Sequence, residues 1–390
     1  MNAAEVPPVA NPRVLGGRLV LEDRIIEEGV VAIDGSQLSY VGPAAGWTGE
    51  PAQPSGTIAP GFVDIHCHGG GGHTVTTGDP ADVARVGLHH LRHGTTAMLA
   101  SLVSAPDAEI EAGVLAIAEV AESGACVLGS HLEGPFLGPG HRGAHDPAHL
   151  RAPDLAAMKR WLASGHGTVR MVTLAPELPG SEALSDLVAG AGCLVALGHT
   201  DADAATFGAA LAGDSVSVVT HLFNGMAPMH HREPGPVAAS LAALAAGDAH
   251  VELIADGTHL ADGIIALAFT LDPGDRVVLV SDAMGAAGMD DGDYELGTTT
   301  VRVIDGTAWT TTEPPSIAGS TVHLADVVRR CITATGIDPV RVVRAATATP
   351  ARLLGLSDRG RLATGLRADL VTLDEAWRVT GVIRGGQPLS

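Results

Sequence analysis

The pattern of apolar and polar residues changes twice along the 390-residue chain. From Val14 to Val41, short alternating segments such as RLVLED, GVVAIDG and QLSYVG are separated by turn residues, which predicts small antiparallel strands. After the stretch GEPAQPSGTIAPG, apolar strands alternate with Ala-rich segments of helical period. From about Arg352 onward the pattern returns to short strands, which we expect to rejoin the N-terminal β unit.

The central part of the chain contains eight candidate strands separated by helix-like stretches such as PADVARVGLHHLRHG. They are FVDIHCH, TTAMLAS, CVLGSHLEG, TVRMVTLAP, CLVALGHT, VSVVTHLFN, VELIADG and VVLVSDAM. This succession predicts an α/β protein with a (β/α)8 TIM barrel and a small β-sandwich domain formed from both chain ends. The predicted boundaries are 1–58 for the N-terminal part of the sandwich, 59–350 for the catalytic barrel and 351–390 for the returning segment.

Composition and charge restrict the partners of this chain. The formal net charge is −21 and the sequence pI is about 5.1. Such a surface repels phosphate backbones and anionic lipids, so we expect neither nucleic acid nor membrane as a partner. A phosphorylated small substrate would need local basic residues.

The cysteines indicate the compartment. Four cysteines are spread along the chain without a CxxC pair, which argues against a disulfide framework and against a thiolate zinc site. The N-terminus lacks a signal-peptide pattern, and apolar runs are interrupted before they reach membrane-spanning length. The sequence therefore predicts a soluble, cytoplasmic protein.

Ionisable residues follow most of the candidate strands. They are His66, His68, Glu133, His199, His221, Asp256 and Asp282. The carboxyl ends of the strands of a closed barrel meet at one mouth, which is where barrel enzymes place their catalytic residues. We therefore expect these side chains to converge.

Several of these residues are typical metal ligands. His66 and His68 are two positions apart, so on a strand both imidazoles face the same side and can share a metal. Glu133 follows an apolar strand into a Gly-Pro turn, where a buried acid is costly unless it binds a cation or is hydrogen-bonded. With His199 and His221 it forms a carboxylate and two imidazoles that leave room for water, as in catalytic sites. The structural alternatives are polar strand ends for the histidines and an amide-capping role for Glu133.

Asp282 is the candidate general base and acid. At the end of the last barrel strand, its carboxylate can accept a proton from a metal-bound water and later deliver it to a leaving group. The structural alternative is an N-cap for the following AMGAAG segment. The only lysine, Lys159, lies in a helix-like segment, which excludes a hydrolase site bridged by a carboxylated strand lysine and leaves Glu133 as the acidic ligand.

A set of short motifs resembles one known family. PGFVDIHCHG, HLEGPFL, RGAH, LGHTDA, THLFNGM, REPG, DGTH, LVSDA and IAGS occur in order from about residue 60 to residue 320, and GRLATGLRADLV follows near the C-terminus. In this the chain resembles the N-acetylglucosamine-6-phosphate deacetylases of the amidohydrolase superfamily. Departures are Gly225, where that family usually has Ala in its FNAM motif, and Thr258 within DGTH.

The resemblance implies a substrate, a cofactor and site residues. Glu133, His199 and His221 are then metal ligands, Asp282 is the acid/base and the substrate is a phosphorylated amino sugar. His145 would donate a hydrogen bond to the acetamide oxygen as charge develops. The implied substrate contacts are Ala144, Asn224, Gly225, Arg232, Asp256, Gly257, Thr258, His259, Ile317, Ala318, Gly319 and Ser320.

The resemblance also implies a divalent metal and a homodimer. Zinc is expected first, while iron, manganese and cobalt suit the same ligands. Because the HxH pair is retained, we expect one or two ions per subunit, and in a homodimer Arg232 or His259 would act across the interface. The alternatives are another amidohydrolase activity, on a different N-acyl sugar, a cyclic amide or a nucleobase, and a non-catalytic barrel scaffold. Dependence of activity on the phosphate would discriminate between the substrates.

Overall fold

A computed structural model describes residues 13–389. Its strands are β1 (Arg13–Val20), β2 (Ile25–Asp34), β3 (Gln37–Pro43), β4 (Gln53–Pro60), β5 (Phe62–Asp64), β6 (Gly69–Gly70), β7 (His73–Thr74), β8 (Thr95–Leu102), β9 (Val127–Glu133), β10 (Val169–Leu174), β11 (Leu194–Leu197), β12 (Val216–Val219), β13 (His250–Leu253), β14 (Val277–Leu279), β15 (Gly292–Leu296), β16 (Thr299–Ile304), β17 (Thr307–Thr310), β18 (Leu370–Leu373), β19 (Val379–Arg384) and β20 (Gln387–Pro388). Its α-helices are α1 (Pro80–Arg92), α2 (Asp107–Glu122), α3 (Leu155–Ser164), α4 (Ser181–Gly190), α5 (Ala204–Leu211), α6 (Gly235–Ala246), α7 (Asp262–Leu271), α8 (Leu324–Thr335), α9 (Pro339–Ala345) and α10 (Ala348–Leu353). The first twelve residues of the predicted N-terminal segment 1–58 lie outside the described residues.

The barrel is a sheet of eight parallel strands in the order β5-β8-β9-β10-β11-β12-β13-β14. Each strand overlaps one of the predicted candidates, and only β8 and β13 extend beyond theirs, by one residue each. The sheet closes between its first and last strands through a single bridge between Cys67 and Ala283. There the N–H of Asp282 donates to the carbonyl of His66 at 2.9 Å, and the N–H of His68 donates to the carbonyl of Ala283 at 2.8 Å. The predicted α/β fold with a (β/α)8 barrel is confirmed.

Capping residues in the sequence mark where outer helices begin, as α1 shows. The Asp79 carboxylate accepts the N–H of Ala81 at 2.8 Å and Pro80 occupies the first turn, so α1 begins with an N-cap and a preset backbone. Val83 and Val86 on its inner face are fully buried against the barrel. This helix therefore packs on the strands through small aliphatic residues.

The barrel interior is filled at one end and open at the other. Alternate strand residues such as Val63, Leu99 and Val278 form an apolar cluster with Ala351 and Leu354, at and just beyond α10, at the amino ends of the strands. This cluster closes that end of the barrel. The ionisable residues are left at the opposite mouth.

Both chain ends build the small domain. Its single sheet has seven strands in the order β20-β19-β18-β4-β1-β2-β3, and β18 pairs antiparallel with β4. The sheet curls over, because backbone bonds join Leu38 to Leu366 and Ala368 to Ser36 at 2.8 Å. Apolar residues of both halves, including Ile33 and Ile383, pack between them. The predicted small β domain is thus one folded sheet, and β4 continues two residues beyond the predicted boundary at 58.

A three-stranded antiparallel sheet of β15, β16 and β17 was not expected from the sequence. It follows the last barrel strand and covers one side of the mouth through Leu296, Thr298 and Thr299. Within residues 13–389, no helix combines the length and the apolarity needed to cross a membrane.

Candidate active site

The strand-end residues converge at the mouth of the barrel, as the sequence predicted. Glu133 ends β9, His199 and His221 lie two residues beyond β11 and β12, and Asp282 lies three residues beyond β14. His199, His221 and Asp282 have φ of 47°, 25° and 48°, a backbone region that is costly for residues other than glycine. Such strain is typical of functional sites, where the surrounding fold holds the residue in place.

Glu133, His199 and His221 form one group of potential ligands. Oε1 of Glu133 lies 3.1 Å from Nε2 of His199 and 3.0 Å from Nε2 of His221, and the two Nε2 atoms are 3.1 Å apart. All three side chains are buried. Their donor atoms are close enough to hold one ion together.

His66, His68 and Asp282 form a second group beside the first. The Nε2 atoms of the two histidines are 3.1 Å apart, and Oδ1 of Asp282 lies 3.4 Å from His66 and 3.2 Å from His68. Glu133 joins the two groups, since its carboxylate oxygens lie 3.5 Å from His66 Nε2 and 3.3 Å from His68 Nε2. The mouth therefore offers two adjacent positions for a cation.

Each of the four histidines is oriented by a bond at its other ring nitrogen. The Nδ1 partners are Glu252 Oε2 for His66 at 3.0 Å, the Ser101 carbonyl for His68 at 2.9 Å, the His141 carbonyl for His199 at 2.9 Å and the Asn224 carbonyl for His221 at 3.2 Å. These oxygens accept hydrogen bonds, so each Nδ1 donates and each Nε2 keeps its lone pair. This is the arrangement that metal-binding histidines have in proteins.

The carboxylates of the site favour a positive charge beside them. Burial disfavours protonation of His66, but the charges of Glu133, Glu252 and Asp282 outweigh it and raise its pKa well above the ordinary value. Burial likewise opposes protonation of His68, yet hydrogen bonds to Asp282 and Glu133 raise its pKa to about 9. The Nε2 lone pairs of the four histidines lie about 3 Å apart within each pair, beside the carboxylates of Glu133 and Asp282. This arrangement suits a divalent cation, which would remove the repulsion among these lone pairs and negative charges.

His145 presents a neutral donor to the same site. Its Nδ1 accepts the backbone N–H of Ser104 at 3.2 Å, so the ring proton is on Nε2, 3.3 Å from Oε2 of Glu133. Burial lowers the pKa of His145 to about 4, which keeps the ring neutral at pH 7. The arrangement suits hydrogen-bond donation to an oxygen that becomes negative.

A cavity of about 430 Å³ opens above the two groups, a size typical of small-molecule sites. Among the predicted site residues, its wall contains His68, Glu133, Ala144, His145, His199, His221, Asn224, Gly225, His259, Asp282, Ile317 and Gly319. His66 is fully buried beneath it. At Gly225, with φ of 61°, a Cβ atom would lie 2.6 Å from Nδ1 of His199, so the glycine leaves room for that histidine.

Other predicted contact residues lie away from the cavity wall. Arg232 is exposed on a loop, where its guanidinium contacts Nε2 of His231 at 2.7 Å. Ala318 is buried in an apolar cluster with the three-stranded sheet. Ser320 donates to the Ser281 carbonyl at 2.5 Å and so helps to hold the backbone on which Asp282 sits.

The DGTH segment is held by hydrogen bonds within itself, and only one of its residues lines the cavity. Asp256 accepts the N–H groups of Thr258 and His259 and contacts Nδ1 of His259, each at 2.8 Å. Gly257 packs against the Arg330 guanidinium. His259 alone lines the cavity, with Asp256 behind it.

Glu252 was missed in the sequence analysis. This fully buried acid accepts Nδ1–H of His66 at 3.0 Å and the backbone N–H of His221 at 3.1 Å, so it positions one member of each ligand group. Its signal in the sequence is a carboxylate within the apolar strand VELIA, where burial is costly without partners.

We expect Glu252→Gln to weaken metal binding by about 10–100-fold, because the amide keeps the shape but loses the acceptor charge that orients His66. Titration of the apoprotein with zinc in competition with a chelator measures this change. Unchanged affinity together with an unchanged thermal midpoint would show that Glu252 does not position the ligands.

The chain matches the amidohydrolase family over residues 57–389. With its barrel and its ligand groups, it belongs to the amidohydrolase family, which implies a divalent metal ion. It is 36% identical to the N-acetylglucosamine-6-phosphate deacetylase of Bos taurus, over 99% of this chain and 96% of the bovine one. It is also 36% identical to the N-acetylgalactosamine-6-phosphate deacetylase of Escherichia coli O157:H7, over 85% of this chain and 87% of that protein.

A solved structure of a deacetylase is also similar to this chain. It is a mutant of N-acetyl-D-glucosamine-6-phosphate deacetylase from Mycobacterium smegmatis in complex with N-acetyl-D-glucosamine-6-phosphate, 37% identical, with a TM-score of 0.91 and coverage of 97% of this chain and 99% of that one. The predicted resemblance to this group of deacetylases is confirmed.

Proposed function

We propose that this chain hydrolyses the acetamide of N-acetyl-D-glucosamine 6-phosphate to D-glucosamine 6-phosphate and acetate, a step of amino-sugar catabolism and cell-wall recycling. The observation that carries the proposal is the placement of Asp282 and His145 on the ligand groups around Glu133, below a cavity of about 430 Å³. The similarity to deacetylases of this substrate supports the choice of amide.

Glu133, His199 and His221, with His66 and His68 beside them, are the residues that would hold the metal. A divalent ion bound there supplies Lewis-acid activation of a water molecule and of the amide carbonyl. We propose zinc, since a carboxylate with imidazoles suits it, while iron, manganese and cobalt remain compatible. One or two ions per subunit fit the two ligand groups.

Asp282 would act on the proton of the attacking water. Burial raises its pKa, but positive charge on His66 and a hydrogen bond from protonated His68 outweigh burial and lower the pKa to about 2. A divalent cation in place of those protons would likewise keep the carboxylate ionised, so that it can accept a proton. Water then attacks the carbonyl carbon, and the proton held on Asp282 is passed to the amine nitrogen as the C–N bond breaks. The products are acetate and the free amine.

His145 would stabilise the oxygen that becomes negative during this attack. We expect His145→Ala to lower kcat by about 10²–10³-fold with little change in KM, because the donor acts mainly in the transition state. Steady-state acetate release measures both constants, and His149→Ala, in the same loop, is the matched control. A parallel loss of bound metal would instead point to a structural role through Glu133.

We also propose a homodimer, as the family resemblance implies. A phosphate dianion needs cationic partners, but the cavity wall formed by residues 13–389 contains neither Lys nor Arg. His259 lies in this wall, and Arg232 lies exposed on its loop, so we propose that in a homodimer one of them acts on the phosphate bound by the partner subunit. A cytoplasmic location accords with four cysteines that are all free and buried.

The decisive experiment is acetate release from N-acetylglucosamine 6-phosphate, compared with the unphosphorylated sugar, after chelation and after addition of zinc or iron. Metal-restored release that depends on the phosphate supports the proposal. Metal binding without release from either sugar contradicts the substrate but leaves the metal site.

The similarity to an N-acetylgalactosamine-6-phosphate deacetylase makes the 4-epimer a second candidate substrate. The two sugars differ only in the orientation of one hydroxyl, so the ratio of their kcat/KM values decides between them. A higher value for the galactosamine derivative would replace the proposed substrate without changing the reaction.

A further inference from the structure

A second cluster of histidines lies outside the active site. His89 and His93 are one helical turn apart at the C-terminal end of α1, and His323 is the N-cap residue of α8. Nε2 of His89 lies 2.9 Å from Nε2 of His323, and the rings of His93 and His323 stack with centroids 3.7 Å apart. One nitrogen from each ring lies within 4.8 Å of the others, as metal ligation requires.

The other sides of these rings are engaged by acceptors. His323 Nδ1 lies 3.2 Å from the Asp326 carboxylate, and His93 Nδ1 donates to the carbonyl of His89 at 2.8 Å. The His89 ring also hydrogen-bonds to the carbonyl of Ala287. The Nε2 atoms of His89 and His323 face each other at 2.9 Å, where either one shared proton or a cation bound by both nitrogens satisfies their lone pairs.

The surroundings keep the rings available as ligands. Burial and the neighbouring His323 lower the pKa of His89 to about 4, and the same two causes lower the pKa of His93. Neutral imidazole is the form that binds metals, so these rings are competent at pH 7. His89 and His93 are half-exposed, which leaves a path for an ion from solvent.

We propose that His89, His93 and His323 bind a divalent transition-metal ion at a site separate from the catalytic centre. Three imidazoles suit zinc, nickel, cobalt or copper, and water would complete the coordination. The proposal concerns a site that the deacetylase reaction does not use, so it stands or falls independently of the proposed function.

The position of the site suggests what the ion does. α1 follows the first barrel strand and α8 follows the last, and these strands are joined by a single bridge, between Cys67 and Ala283. Gly288, in the segment after Asp282, lies so close that a Cβ atom would be 3.1 Å from both the His89 and His323 rings. An ion here would link the two helices across the closing side of the barrel and stabilise it.

The test is a count of metal ions in the whole protein. Wild type, His93→Gln and His250→Gln are loaded with zinc, dialysed and measured by plasma mass spectrometry, together with acetate release and the thermal midpoint. His250 is the matched control, because it is a half-buried histidine at the amino end of β13, away from both ligand clusters. We expect His93→Gln to hold one ion per chain fewer than wild type with unchanged activity, and its thermal midpoint to respond less to added zinc.

An equal zinc content in wild type and His93→Gln would overturn the proposal and leave a hydrogen-bonded histidine cluster without an ion. A loss of zinc accompanied by a proportional loss of acetate release would also overturn it, because the ion lost would then be catalytic. If His93→Gln does not fold, His89→Gln gives the same comparison. Cobalt loading adds a spectroscopic check. The visible absorption bands of cobalt at the His89, His93 and His323 cluster must disappear in the variant, while the bands of cobalt at the catalytic centre remain.

Discussion

Asp282→Asn is expected to lower kcat by about 10²–10⁴-fold, the usual contribution of a positioned acid or base. Asparagine keeps the shape of the side chain but cannot hold the proton that the attacking water releases and the amine requires. The carboxylate lies within 3.4 Å of both His66 and His68 and faces the cavity. The other carboxylates that line the cavity within residues 13–389 are Glu133, which the candidate ligand histidines engage, and Asp146, which does not contact those histidines. Single-turnover acetate release measures the chemical step directly.

The metal content shows whether a lower kcat in Asp282→Asn comes from the missing acid/base or from a missing metal ion. Zinc held by Glu133, His199 and His221 should stay bound in Asp282→Asn, because none of these side chains is changed. Asp146→Asn is the matched control, since Asp146 lines the same cavity without touching the ligand histidines. Turnover near the wild-type rate in Asp282→Asn would remove Asp282 from the mechanism.

Glu133→Gln is expected to weaken metal binding by more than about 10²-fold, beyond the effect usual for groups that only orient a ligand. The Glu133 carboxylate lies within 3.5 Å of five histidine Nε2 atoms, that of His145 included, and it is the acidic member of the group with His199 and His221. The amide keeps the volume but removes the negative charge. Acetate release should therefore fall below detection at stoichiometric zinc and recover in part at high zinc concentration.

Glu177→Gln is the control for the loss of one negative charge near the mouth. Glu177 accepts a hydrogen bond from Thr200 at 2.6 Å and one from the backbone of Asp201 at 2.7 Å, but it belongs to neither ligand group. Its variant should keep the wild-type zinc affinity. Tight zinc binding by Glu133→Gln would mean that the histidines alone hold the ion.

The predicted site residues that the structure brings together share one property: their neighbours in sequence specify where they go. His66 and His68 follow an apolar strand at a spacing of two, and Glu133 ends another such strand before a turn, so a parallel barrel brings them to one mouth. Asp282 follows the last strand in the same way. Strand periodicity therefore sufficed to predict that these side chains converge.

The residues that were missed depend on contacts between distant segments. Glu252 binds His66, which is 186 positions away, and His323 meets His89 from 234 positions away. The three-stranded sheet of β15, β16 and β17 was overlooked because its short strands, rich in Thr, Asp and Glu, carry a weaker apolar signal than those of the barrel. Arg232 and Gly257 were expected by motif to contact the substrate, and loop conformation places both away from the cavity wall of their own chain. The role of Arg232 across a homodimer interface stays a prediction.

The sequence by itself determined the architecture, the convergence of the candidate ligands and the family, because each follows from periodicity and from motifs in order along the chain. Only the tertiary structure decided which nitrogen of each candidate ligand histidine faces the others, which buried acid contacts His66 and which loops line the cavity. Those properties arise from side-chain orientation and from hydrogen bonds between segments far apart in sequence. A one-dimensional pattern constrains such contacts only weakly.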